Sequence, residues 1–209
     1  TVSHIPGASD VNTITIQSAS ADSSKVYLSY SGYSSNSAAM ITLDSVRYLN
    51  FYQIGFDATG GESGYGQVIK LDNNSKHISI KHCNFIGKNV GSSYHDNNVI
   101  IWGWQTGVEY LEVSHNRFIY GENGLKLRGL ESKNGIVIES NILKDQSEES
   151  IYLREFDEPT VKNNLIDIRS KNGNNGIYFE YVDKGFELTG NKLVMNNPSR
   201  GVYLSYCDG

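Results

Sequence analysis

One short apolar pattern returns about every 25 residues between Asn98 and Gly209, and it restricts the possible folds more than any other feature. Aligning Ile100-Ile101-Trp102, Leu125-Lys126-Leu127, Ile151-Tyr152-Leu153, Ile177-Tyr178-Phe179 and Val202-Tyr203-Leu204 gives spacings of 25, 26, 26 and 25. In each triplet the first and third residues are apolar, so they face one way and the middle residue faces the other. A second pattern keeps step with the first. Val113-Ser114-His115-Asn116, Ile138-Glu139-Ser140-Asn141, Val161-Lys162-Asn163-Asn164 and Leu188-Thr189-Gly190-Asn191 repeat at 25, 23 and 27. Two strand patterns and one Asn locked to a common period predict a chain coiled into stacked β rungs.

The recurrence reaches back to about residue 40. Met40–Asp44 and Val68–Asp72 match at a spacing of 28, and Leu49-Asn50-Phe51 anticipates Ile78-Ser79-Ile80 and Leu111-Glu112-Val113. Each rung then holds three strands: an Ile-x-Leu strand, a Val/Ile strand ending at the Asn, and a short third strand such as Phe85-Ile86 or Phe118-Ile119. Inserted residues fall in the loops Gly60–Gln67 and Lys88–Asn97. Residues 1–39 read as an irregular lead-in coil, with Thr13–Ile16 and Val26–Tyr30 as strands inside it, and 40–209 as regular rungs of one all-β domain. No helical apolar period of useful length is present.

The Asn column has a physical reason. A rung turns a tight corner there, leaving backbone N–H and C=O groups partly buried and unable to pair within their own rung. An inward Asn carries a donor and an acceptor, and can serve the corners above and below as well as the next Asn. Asn116, Asn141, Asn164 and Asn191 are therefore expected to form a ladder. Cys83 and Ile54 hold the column in the two earlier rungs, so the ladder is incomplete at that end.

Composition excludes several functions. A net charge of −5 with no basic cluster argues against nucleic acid as a partner, since phosphate binding needs many Lys or Arg contacts. The absence of any run of about 18 apolar residues excludes a membrane-spanning helix. Both ends break off in connector or strand-like sequence. The chain therefore reads as a mature or excised segment, with further rungs or a partner chain expected at its ends. The two cysteines fall several rungs apart, roughly 20 Å at about 4.8 Å per rung, beyond the ~7 Å limit for a disulfide. Both are expected to be free and buried.

Taken with Ile5-Pro6-Gly7-Ala8-Ser9, Asn12–Ser20, Val46–Phe51, Gly176–Phe179 and Gly201–Leu204, the chain resembles the right-handed parallel β-helices of the pectate-lyase-like superfamily. More narrowly, it is similar to β-helix segments of large secreted Bacteroidetes surface proteins. The resemblance covers nearly the whole chain. It implies a right-handed single-stranded solenoid, an extracellular or cell-surface location, and a polysaccharide groove along the outer face of the Ile-x-Leu sheet.

That face carries two predicted columns: Thr42, Lys70, Ile101, Lys126, Tyr152, Tyr178, Tyr203, and Asp44, Asp72, Gly103, Arg128, Arg154, Glu180, Ser205. The three Tyr suit either a platform for sugar rings or a self-stacked ladder. Arg128 and Arg154, with Lys126, Glu155 and Glu180, offer the cation and base that a uronate lyase or epimerase requires, or a set of cross-rung ion pairs. By resemblance a lyase would add a Lys on the preceding rung, where this chain has Gly103-Trp104, and an acidic metal-binding pattern that is missing. Asp44 and Asp72 could pair for glycoside hydrolysis or hold Ca²⁺, or simply close turns. His82 and His115 coincide as stacked turn residues, while His77 and His95 show no partner. Trp102 is expected to point inward and Trp104 to lie at the rung's edge as a second sugar contact.

The reading that follows is a non-catalytic extracellular solenoid, structural or adhesive, with weak carbohydrate contact through Lys126, Tyr152, Tyr178, Tyr203 and Trp104. Its partner is an extracellular polysaccharide and no cofactor is required, Ca²⁺ being the one candidate. The alternative is a polysaccharide lyase or epimerase built on Arg128, Arg154 and Glu180.

Overall fold

A computed structural model describes residues 1–32, 34, 38–60, 64–90, 96–169, 175–196 and 200–208, the side chains of 96 and 131–133 excepted. The chain winds through three seven-stranded sheets, and every strand runs parallel to its neighbours in the preceding and following rungs. Sheet A contains Ala39–Asp44, Gln67–Asp72, Ile101–Gly103, Leu125–Lys133, Ile151–Phe156, Asn175–Glu180 and Arg200–Ser205. Sheet B runs from Ile14–Gln17 through Arg47–Tyr52 and Lys76–Lys81 to Glu187–Thr189, and sheet C from Tyr27–Ser29 to Lys192–Val194. Among the described residues the only helical turn is a 3₁₀ segment at Asp96–Asn98. The architecture is a parallel β-helix.

Stacking starts earlier than the sequence period indicates. Ile14–Gln17 and Tyr27–Ser29 lie within the stretch expected to be lead-in coil, yet they are the first strands of sheets B and C. The loop between them masks the 25-residue period without disturbing the pairing.

The inward residues of consecutive rungs make the core. Leu49, Ile78, Leu111 and Ile136 stack in sheet B, and Leu43, Leu71, Leu127, Leu153 and Phe179 point inward from sheet A. In sheet C the rings of Phe56, Phe85 and Phe118 stack with centroids 4.8 Å apart at each step. That distance is the inter-strand spacing itself, so identical residues in register stack without adjusting the backbone.

The corner from sheet B to sheet C combines strain with its compensation. Gln53, His82, His115, Ser140 and Asn163 all sit at positive φ, between 51° and 58°. A left-handed non-glycine residue costs roughly 1–2 kcal/mol. The next residue on the last three of these rungs is a ladder Asn, and the fourth, Asn191, follows Gly190 at a φ of 64°. Asn141 donates through Nδ2 to Val113 O at 2.8 Å, while its Oδ1 accepts the Asn116 N–H at 2.9 Å. Asn116, Asn164 and Asn191 repeat both bonds on their own rungs. Side chains also link rung to rung, Asn116 Nδ2 to Asn141 Oδ1 and Asn141 Nδ2 to Asn164 Oδ1, both at 3.0 Å. At the incomplete end Cys83 donates its N–H to Asn116 Oδ1. Both cysteines are free; Cys83 is buried, but Cys207 is only half-buried because no described rung covers Tyr206–Asp208.

One register differs from expectation. Ile101, not Ile100, pairs with Ile69 and Leu125, so Trp102 stands in the outward column between Lys70 and Lys126. Val99-Ile100-Ile101 is a continuous apolar run and fits either register, and a one-residue slip flips every side chain. The interior decides between them: Gly103 occupies the inward position, where even a Cβ would lie 3.4 Å from Leu71 and Leu127. An indole has no room there.

Candidate functional site

The outer face of sheet A gathers most of the singled-out residues. With the register settled, the first column reads Thr42, Lys70, Trp102, Lys126, Tyr152, Tyr178, Tyr203. Arg128, Arg154 and Glu180 follow in the second column, aligned Cα to Cα.

The aromatic residues form a strip. Trp104 lies 6.2 Å from Tyr152, and Tyr152–Tyr178 and Tyr178–Tyr203 are each 4.8 Å apart, tilted by 42° and 33°. Cations border it. Lys126 Nζ lies 5.6 Å from the Trp104 ring and the Arg128 guanidinium 5.4 Å, while Arg200 covers Tyr203 at 4.5 Å. Tyr152 is 6% exposed, so much of the strip is packed rather than offered to solvent. Trp104 is half-buried among Lys126, Arg128 and Tyr152, not projecting from the rung's edge.

The charged residues are tied to one another. Arg128 grips Glu155 with two hydrogen bonds of 2.9 Å, and Arg154 reaches both Glu155 and Glu180 at 3.1 Å. The Tyr152 hydroxyl donates to Glu180. Glu155 bridges two arginines that would otherwise repel across adjacent rungs. The hydrogen bond from Arg128 holds its carboxyl below the ordinary range, against a smaller burial effect. Burial and then the bond to Glu180 push the Tyr152 phenol well above its usual value.

Elsewhere the candidates separate. Asp44 and Asp72 are register partners, but Asp44 accepts from Asn73 and Ser45 while Asp72 pairs with Lys70 at 2.7 Å. His82 and His115 stack at 5.0 Å on the opposite side of the rung, at the corner between sheets B and C. His77 has partners after all: it is sandwiched between Tyr48 and Tyr110, 4.6 Å from each and nearly parallel to both. The clue was its place one residue before the first inward position of its strand, shared by Tyr48 and Tyr110. His95 lies outside the described residues.

A three-sheet parallel solenoid with an internal Asn ladder and a polar, ion-paired outer face defines a β-helix repeat protein. The chain belongs to the NosD family, described as periplasmic copper-binding protein (NosD), whose profile matches residues 8–209. No curated protein and no solved structure matches the chain.

The described residues do not fit a built copper centre. Among them no group of three or more His, Cys, Asp or Glu could hold a metal ion. The imidazoles of His82 and His115 are chemically suitable donors, but the adjacent Cys83 thiol is buried, bonded to Lys81 O, and pushed by burial to about 11. It is not a thiolate at neutral pH, and copper prefers the thiolate. Among the described residues no helix is long and apolar enough to cross a membrane.

Proposed function

We propose that this chain is a non-catalytic β-solenoid working outside the cytoplasm, a structural or adhesive element whose sheet A face makes weak contact with polysaccharide. The carrying observation is the closed set of charges on that face. Arg128, Glu155, Arg154, Glu180 and Tyr152 satisfy one another. An eliminating enzyme needs a base with a free lone pair and a cation ready for the uronate carboxylate. Here the carboxylate is made a weaker base by Arg128, and the phenol is made harder to ionise by burial. Both shifts run against proton abstraction.

The glycan contact rests on the aromatic strip and its bordering cations. Because the rings lean on each other at 4.8 Å, their edges rather than full faces meet solvent, which favours a shallow contact over a tight subsite. The periplasmic description of the family and the secreted proteins the sequence resembles both support a location outside the cytoplasm. The test pairs a glycan array with incubation on alginate, pectate and glycosaminoglycans, read by absorbance of unsaturated products. Weak array binding lost in Tyr178→Ala and no product are expected. A product that disappears in Arg128→Ala would reverse the reading, and an array without any binding would remove the glycan and leave a spacer.

A further inference from the structure

A concavity lies away from sheet A, at the corner from sheet B to sheet C. It is an open groove of about 980 Å³ under the Ser20–Lys25 turn, which overhangs the following rungs. His82, Asn84, His115 and Arg117 line it from two consecutive rungs. The fold dictates this grouping. His82 and His115 hold the left-handed corner positions with φ of 55° and 58°, Cys83 and Asn116 turn inward, and Asn84 and Arg117 face outward at the start of the next strand.

The groove is positively biased in a chain whose net charge is −5. Asp22 is the sole acid among its described lining residues, and it is already engaged: it accepts from the Ser24 N–H at 2.9 Å and the Ser24 hydroxyl at 2.6 Å, and pairs with Lys25. Among the described residues Arg117 finds neither an ion pair nor a side-chain hydrogen bond, and it is exposed. Asn84 contributes an amide bonded on one side to the Tyr27 hydroxyl and unpaired at its buried other atom. The arrangement therefore holds one cation, Arg117, left over after Lys25 pairs with Asp22, and two titratable imidazoles.

We propose that this groove binds an oxyanion, a phosphate, sulfate or carboxylate group, held by Arg117 and by the protonated imidazoles of His82 and His115. Two stacked imidazolium rings 5.0 Å apart repel each other, and an anion beside both relieves that repulsion. Burial, with His115 and Lys81 as further causes, lowers the His82 value. The other charged groups nearby are engaged: Lys81 with Glu112, and Glu139 with Lys162. Tyr52 packs edge-on to His82. Binding therefore strengthens as pH falls through the imidazole range. This inference is independent of the sheet A reading.

The test follows the imidazole Cε1–H resonances of the whole chain by NMR through a pH titration, with and without inorganic sulfate. Glucuronate tests a sugar-borne oxyanion, and glucose serves as the neutral control. Sulfate is expected to raise both midpoints and to bind about tenfold more tightly near pH 5.5 than near pH 7.5. Arg117→Ala should abolish the shift. His82→Asn and His115→Asn should remove the pH dependence while keeping the corner, because Asn163 occupies the same left-handed position two rungs on. Glucuronate binding with glucose inert would assign the groove to acidic sugars, and sulfate binding alone would assign it to free oxyanions. Equal affinity at the two pH values, an undiminished shift in Arg117→Ala, or no sulfate effect would overturn the proposal.

Discussion

Replacing Asn141 by Ala isolates what the ladder contributes. Asn141 is 1% exposed and makes four side-chain hydrogen bonds. Two of the groups it serves have other partners: Asn116 Nδ2 keeps Ile80 O, and Asn164 Oδ1 keeps the Asn141 N–H. Of the other two, the Val113 C=O stays in the sheet B ladder, where Val113 pairs with Ile138, and the Asn116 N–H loses the bond that satisfies it at the corner. At about 1–3 kcal/mol per buried unsatisfied group, Asn141→Ala should cost about 1–3 kcal/mol. Asn191 offers the same bonds to Asn164 N–H and Val161 C=O, but it is half-buried on the last described rung, where water can replace it. Asn191→Ala should cost about 1 kcal/mol or less. Urea midpoints at unchanged slope give the two values, and hydrogen exchange at the Asn116 amide reports the corner directly. If the two substitutions cost the same, or the Asn116 amide keeps its protection in Asn141→Ala, the ladder does not stabilise the corner as argued.

Cys83→Asn should extend the ladder by one rung and stabilise the chain by about 0.5–1.5 kcal/mol in the same urea assay, since its place already faces Asn116 Oδ1. In the native state at about pH 8 a thiol reagent should modify Cys207 first and reach Cys83 only on unfolding, because burial pushes the Cys83 thiol to about 11. For Glu155 the sign follows from its lowered folded value. Pairing with Arg128 and Arg154 adds stability above the ordinary carboxyl range, about pH 4.3, which is lost as pH falls through the folded value. Glu155→Gln should therefore lower the urea midpoint at neutral pH and lose less stability between pH 7 and pH 3 than the parent chain.

The sequence made the rung legible wherever one residue type had one possible place. Asn116, Asn141, Asn164 and Asn191 fall in a single column because only an inward amide serves two backbone corners at once. Tyr152, Tyr178 and Tyr203 align as their spacing indicates. The reading slipped at Ile100–Trp102, where three adjacent apolar residues left the period-2 signal with two equal solutions, and Gly103 was the overlooked arbiter. It also started the rungs too late, since the long loops around Tyr27–Ser29 stretched the interval. The groove at the B–C corner was legible only in part. The period stacks His82 on His115 with Arg117 two residues on, but the Ser20–Lys25 turn that walls the groove is encoded by no periodicity.

A consequence for function lies in how this fold divides its residues. Inward side chains and corner amides specify the solenoid, and they leave the outward columns free to change without loss of structure. In an outward column each side chain meets the same position one rung away, about 4.8 Å off, so like residues stack and opposite charges pair by proximity alone. Tyr178–Tyr203 and Arg154–Glu180 are the natural products of that geometry and need no ligand to account for them. Sites are therefore better sought where a side chain departs from the pairing its column provides. Arg128 and Arg154 do not depart, because Glu155 closes the pair. Arg117 does: its column neighbours on either side are Asn84 and Ile142, and neither carries a charge to meet it.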